Sequence, residues 1–218
     1  DFLITPDGSS VVYRVYDRAQ YASTLYQTAL LGGSALKLSQ ADFDVTDFRI
    51  SPDSTQIVYR VSYGRALYRV PLFGGLSVQL NAPLPNSRYL AADYSITGDG
   101  LTVLYRVDQE LEDKFELYAA PMAGGYPIRL NPPLTGQRSV DSFALSHDGQ
   151  IAVYLMNQAQ ADQVELYTTP VAGGSTTLLN APVAANEQIE QYQISPDNSY
   201  VVYQIARHQT GEPTNHAL

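Results

Sequence analysis

Residues 48–59 read FRISPDSTQIVY, and the same pattern returns at 2–13 (FLITPDGSSVVY), 94–105 (YSITGDGLTVLY), 143–154 (FALSHDGQIAVY) and 192–203 (YQISPDNSYVVY). Each copy runs aromatic, any residue, aliphatic, Ser or Thr, any residue, Asp, a turn residue, then an apolar run ending in Tyr. The matched positions Pro6, Pro52, Gly98, His147 and Pro196 lie 46, 46, 49 and 49 residues apart. A second pattern follows the first four copies: LYQTALLGGSALKL at 25–38, LYRVPLFGGLSVQL at 67–80, LYAAPMAGGYPIRL at 117–130 and LYTTPVAGGSTTLL at 166–179. A near-constant period of this length marks a tandem array of one supersecondary unit.

Each unit reads as four short strands. Runs such as 48–50, 56–61, 66–70 and 76–80 are alternating or apolar and rich in β-favouring residues, and turn residues bound them. The Ser-Pro-Asp turn presets φ at Pro and lets Asp bond its own backbone, while the Gly-Gly pair supplies left-handed conformations. No segment sustains a 3.6-residue apolar period, so helix is not expected. One such sheet cannot bury both faces alone, and stacking sheets around an axis does so.

These motifs resemble the TolB-like, WD-repeat-like propellers, whose units carry a Ser-Pro-Asp-Gly turn, an apolar strand ending in Phe or Tyr, a Leu-Tyr strand and a Gly-Gly turn. The resemblance covers residues 2–205. It implies an all-β propeller of four-stranded antiparallel blades, with four complete repeats and half a fifth, as part of a larger propeller. The expected blades within a single 1–218 domain are 1–46, 47–91, 92–140, 141–190 and a partial 191–218. Such propellers serve as periplasmic binding platforms, cell-surface modules or gating domains of prolyl-oligopeptidase-type hydrolases, and fold alone does not choose among these. Gly98 and His147 depart from the turn proline, and Ser54 and Asn198 from the turn glycine; these changes are expected to alter turn stability and not chemistry.

Composition narrows the function classes. With 22 acidic and 13 basic residues, the net charge of −9 repels a phosphate backbone, so nucleic acid is not an expected partner. The absence of cysteine excludes thiolate chemistry, disulfides and Cys-ligated metal. No apolar run reaches the roughly 18 residues that span a bilayer as a helix. The scarcity of lysine and the wealth of Tyr, Gln, Asn, Ser and Thr accord with an exported protein, periplasmic or at the cell surface.

Seventeen tyrosines invite a ligand-platform reading, but eleven of them sit in repeat registers and read as packing between blades. Tyr16, Tyr21, Tyr63, Tyr89, Tyr126 and Tyr200 break register and are expected at the surface. Tyr16, Tyr21, Tyr63 and Tyr126, together with Glu110 and Glu112, are the interaction candidates. Arg14, Arg60 and Arg106 follow the register tyrosines, and pairing with the turn residues Asp7, Asp53 and Asp99 is the expected explanation for them. Asp108, Glu110, Glu112 and Asp113 form a weak Ca²⁺ candidate in the loop between second and third strands of repeat three, but no glycine is present for a sharp turn, so a solvated loop is favoured and no cofactor is expected. His147, His208 and His216 have no metal-ligand spacing, and there is no Gly-x-Ser-x-Gly elbow. Catalysis by this chain is not expected.

The array stops after the first two strands of the fifth unit, an arrangement that leaves backbone hydrogen-bonding groups without partners. The chain is therefore expected to continue, or to be completed by another subunit or another copy of itself. The longer loops at 15–24, 107–116 and 156–165 are expected to carry recognition. The primary expectation is a non-catalytic, exported interaction or structural module with a protein partner. The alternatives are the propeller of a larger peptidase and a glycan- or Ca²⁺-dependent binding propeller.

Overall fold

The computed structural model describes residues 1–40, 43–62, 64–136, 138–157, 163–184 and 186–207, and among these every regular element is a β-strand. The chain divides into two compact units, Asp1–Leu130 and Asn131–Leu218. Unit 1 holds three blades. Blade one is β1 (Phe2–Ile4), β2 (Ser10–Asp17), β3 (Ala22–Ala29) and β4 (Leu36–Lys37). Blade two is β5 (Val45–Ile50), β6 (Gln56–Val61), β7 (Ala66–Pro71) and β8 (Val78–Gln79). Blade three is β9 (Leu90–Ile96), β10 (Thr102–Leu111), β11 (Lys114–Pro121) and β12 (Ile128–Arg129). Unit 2 holds blade four, β13 (Val140–Leu145), β14 (Ile151–Asn157), β15 (Val164–Pro170) and β16 (Thr177–Leu178), and a half-blade of β17 (Glu187–Ile194) and β18 (Val201–Arg207). Every sheet is an antiparallel meander in chain order. The fourth strands are only two residues long, shorter than the apolar runs that announce them.

Each first turn is closed by its aspartate. Ser51 Oγ donates to Asp53 Oδ1 at 2.5 Å, the Thr55 N–H donates to the same oxygen at 3.1 Å, and the Gln56 N–H donates to Ser51 Oγ at 2.9 Å. The Thr5–Asp7, Thr97–Asp99, Ser146–Asp148 and Ser195–Asp197 pairs repeat the device. The expected pairing of these aspartates with Arg14, Arg60 and Arg106 is therefore overturned. Short Asx geometry within the turn satisfies the carboxylates before an arginine on the sheet can reach them. Asp7 and Asp53 are held below the ordinary carboxylate range first by Thr5 and Ser51, and Asp197 is brought down to about 2, first by Ser195.

The register tyrosines form the seams within each unit. Tyr59 pairs with Phe48 on one side and Tyr68 on the other, and Tyr105 likewise sits between Tyr94 and Tyr118. Cross-strand rings stack with centroids 5.6 to 6.0 Å apart in the pairs Tyr59–Tyr68, Tyr154–Tyr167, Tyr13–Tyr26 and Tyr105–Tyr118. Within each unit, the aromatic face of a blade lies against the aliphatic face of the blade before it. Phe48, Ile57 and Tyr59 pack on Val12, Leu25 and Leu38, while Tyr94, Val103 and Tyr105 pack on Val58, Leu67 and Leu80. In unit 2, Tyr192 and Tyr203 lie against Val153 and Leu166, and Tyr192 Oη donates to the Val153 carbonyl at 3.2 Å. Phe2 is 67% exposed and its equivalent Phe48 is 8% exposed.

The two turns that lack glycine make a second kind of seam. Ser54 and Asn198 both adopt φ 60, a left-handed conformation that costs most residues energy. Their side chains accept hydrogen bonds from the preceding blade's turn, Ser54 Oγ from the Asp7 N–H at 3.1 Å and Asn198 Oδ1 from the His147 N–H at 2.8 Å.

Candidate functional site

The first strands of blades one to three line a groove of about 710 Å³ in unit 1. Leu3 and Ile4 on β1, Phe48 and Ile50 on β5, and Ile96 on β9 give it an apolar wall, to which Pro6 and Pro52 add. Concave, mostly apolar surface with a few placed polar groups is the common form of a binding site. Here the polar groups are Asp47, Arg49, Ser95 and Tyr94.

Their charges are not equivalent. Asp47 is neutralised by Arg60, with Nη2 2.7 Å from its carboxylate. Arg49 makes no ion pair among the described residues, and its guanidinium lies 5.0 Å from the centroid of the Tyr94 ring. Tyr94 is buried, and that burial, with the charge of Asp47, holds its phenol neutral well above the ordinary range. The phenol donates to the Val58 carbonyl at 3.4 Å, so the ring is fixed beneath the cation. Arg49 is thus an exposed, uncompensated positive charge on a fixed aromatic support in a chain of net charge −9.

The other arginines have structural work. Arg60 pairs with Asp47 across β5–β6, Arg106 pairs with Asp93 through two 2.7 Å bonds, and Arg14 pairs with Asp1 at 2.6 Å. Arg14 also donates to the Val45 carbonyl at 2.9 Å and to the Thr46 carbonyl, and Arg60 reaches the Leu90 carbonyl at 3.4 Å. Each of these two therefore clasps the first strand of the following blade, with an acid as counter-charge that lies just before its own first strand (Asp1) or within it (Asp47). Sequence reasoning found the arginines but named the wrong acids, because the true partners stand next to the register aromatics and carry no turn signature.

Of the interaction candidates, Tyr16 and Tyr21 come together. They are 55% and 79% exposed and share a recess of about 460 Å³ with Arg14, Ser23 and Asp44. Tyr126 is 95% exposed but lies in the turn between β11 and β12, at the end of its sheet opposite to Glu112. Glu110 approaches Arg129 at 3.7 Å, and Tyr63 lies outside the described residues.

The acidic stretch of repeat three is not a loop. Residues through Leu111 belong to β10, and only Glu112 and Asp113 make the turn. Asp108 is buried, and its two oxygens accept from the Tyr89 N–H at 2.6 Å and the Asp113 N–H at 3.3 Å. Asp108, Glu110, Glu112 and Asp113 are not gathered, and among the described residues no three acidic or histidine side chains cluster as a metal site. A buried carboxylate that sequence reasoning missed, Glu116, instead receives Arg129 at 2.9 Å and the Tyr118 hydroxyl at 3.2 Å, and burial raises its pKa. Its only sequence signal was an acid at an inward-facing strand position.

No protein-family model and no curated protein matches the sequence. Among solved structures the chain is similar to a putative TolB from Agrobacterium tumefaciens, at 21% identity and TM-score 0.53, covering 93% of this chain and 68% of that one. The fold is that of a β-propeller. TolB from Acinetobacter baumannii matches this propeller at 14% identity and TM-score 0.52, covering 94% of this chain and 54% of that one. The tricorn protease matches at 12% identity and TM-score 0.58, covering 75% of this chain and 17% of the protease. At these identities the likeness shows a partial β-propeller and carries no activity with it.

Proposed function

We propose that this chain is a non-catalytic, exported interaction module that holds an extended, mostly apolar partner segment along the groove of its first strands, with a partner carboxylate on Arg49. The observation that carries this reading is the uncompensated Arg49 guanidinium over the Tyr94 ring, set in an apolar groove. A carboxylate gains charge-assisted hydrogen bonds there without separating an existing pair. The Tyr16 and Tyr21 recess provides a secondary contact surface.

Selection from a displayed peptide library tests it. The expected peptides carry an acidic residue beside apolar ones, and Arg49→Ala weakens their binding by about tenfold, the loss expected for one charged hydrogen-bonded contact, while the melting temperature is unchanged. Peptides without an acidic residue, or binding indifferent to Arg49→Ala, would falsify the assignment.

The likeness to the tricorn protease favours one second reading, a propeller attached to a larger hydrolase. The sequence of the full gene separates the two, because a nucleophile elbow encoded beside the propeller favours the hydrolase.

A further inference from the structure

The seam between blades two and three is sealed where the second and third strands of blade two join. That connection is short, since β6 ends at Val61 and β7 begins at Ala66. The Gly64 carbonyl within it accepts from the Leu90 N–H of β9 at 2.7 Å, and a Cβ at Gly64 would stand 2.6 Å from the Leu90 carbonyl oxygen, so backbone closes the gap. In blade one the hairpin runs two residue pairs further, with Tyr16 opposite Ser23 and Asp17 opposite Ala22. The recess of about 460 Å³ lies between this longer hairpin and blade two, and it shares no lining residue with the groove.

Three features of the recess are not explained by packing. Ser23 is 7% exposed and lines it, yet the Ser23 hydroxyl makes no hydrogen bond among the described residues. A buried hydroxyl left so costs free energy unless water or a ligand meets it. Asp44 is fixed from both sides, its carbonyl accepting from the Ser62 N–H and its Oδ1 from the Ser23 N–H, each at 2.8 Å. Its second carboxylate oxygen has no partner among the described residues. Tyr21 holds φ 52, and blade three has the same left-handed conformation at the end of its hairpin turn, φ 56, but fills it with Asp113. Aspartate takes that conformation readily and a bulky aromatic does not, so blade one carries a steric cost to hold a ring that is 79% exposed.

The charges select a ligand class. Arg14 and Arg60 line the recess, but each is neutralised by an acid and also donates to a backbone carbonyl, so an anion finds no free cation. A cation would stand beside two guanidinium groups. The only aliphatic lining residue is Val45, which is fully buried, so an apolar peptide finds no apolar wall. There remain a hydroxyl, a carboxylate oxygen and two phenols beside exposed aromatic rings. We propose that the recess is a saccharide-binding site, in which a neutral pyranose unit lays its C–H face on the Tyr16 and Tyr21 platform, donates a hydroxyl to Asp44 and bonds the Ser23 hydroxyl. A ring with one apolar face and a hydroxyl edge matches tyrosine, which has an apolar body and a polar tip. The volume falls within the range of about 300–1,000 Å³ common for small-ligand sites.

Isothermal titration calorimetry of the 1–218 chain with cellotetraose, maltotetraose and tetra-N-acetylchitotetraose tests the site. Saturable binding of at least one of these is expected. Tyr16→Ala and Tyr21→Ala each weaken it by about fivefold, with the melting temperature unchanged for Tyr21→Ala. Asp44→Asn, which keeps an acceptor for the Ser23 N–H, also weakens binding. Arg49→Ala leaves it unchanged, which separates the site from the groove. No binding of any of the saccharides, or binding indifferent to both tyrosine substitutions, overturns the proposal. Loss of binding in Arg49→Ala moves the ligand to the groove, with the same consequence. Saturable binding of tetramethylammonium in place of a saccharide assigns the recess to a cation and likewise overturns it.

Discussion

The Tyr59 hydroxyl donates a 2.7 Å hydrogen bond to Ser77 Oγ, joining the second strand of blade two to the residue just before its fourth. Blade four repeats the contact between Tyr154 and Thr176 at 3.4 Å. In blade three the matching residue is Pro127, which has no donor or acceptor side chain, and the buried Tyr105 hydroxyl has no partner among the described residues. Tyr59→Phe is therefore expected to destabilise by about 1 kcal/mol, while Tyr105→Phe leaves stability unchanged or raises it by about as much. Urea midpoints at constant m-value check the contrast.

Ser54 combines a strained backbone with a useful side chain. Ser54→Ala keeps the φ of 60 and loses the bond to the Asp7 N–H, so a loss of about 1 kcal/mol is expected. Ser54→Gly loses the same bond but relieves the backbone, which offsets about 1 kcal/mol, so it should be nearly neutral. A thermal melt in which glycine is as damaging as alanine would sink the account.

The ion pairs differ in worth because they differ in burial. The Arg106 side chain is 15% exposed and Asp93 is 40% exposed, and two bonds fix the pair. A double-mutant cycle there should give a coupling of about 1 kcal/mol, discounted for the solvent on Asp93. The Arg207–Glu187 pair, whose arginine is 73% exposed, should show no coupling above error.

Acid stability follows from the turn aspartates. Asp7, Asp53, Asp99, Asp148 and Asp197 all have pKa values below the ordinary 3.8, with a turn hydroxyl as the leading cause in each. A depressed folded-state pKa contributes stability that is present above the unfolded value and lost as pH falls through the folded one. Stability against urea should therefore fall between pH 3.8 and about 2, the value for Asp197. Ser195→Ala should narrow that fall, and an unchanged profile would argue against the hydroxyl as the cause.

Much of this molecule was legible in one dimension because the repeat writes its own alignment. Five aromatic-to-Tyr runs and four Leu-Tyr to Gly-Gly runs gave the strands, their order and the packing role of Tyr59, Tyr105 and Tyr154. Asp53 could be read as a turn cap because its partners lie within two or three residues. Arg60 could not be assigned to Asp47, since their pairing depends on cross-strand register and on a backbone carbonyl of the following blade. The solvated-loop reading of 108–113 failed because Asp108 bonds the backbone of Tyr89, an interaction that no local pattern announces.

The sequence by itself determined the blade, its turns and its aromatic seam, because those depend on contacts between residues that are near in the chain or equivalent in the repeat. Only the tertiary structure decided that Arg49 stands without an ion pair among the described residues, over Tyr94, while its neighbour Asp47 is neutralised. The physical reason is that charge compensation and strand pairing are settled by neighbours in space. Two residues of like type at equivalent repeat positions can meet quite different neighbours.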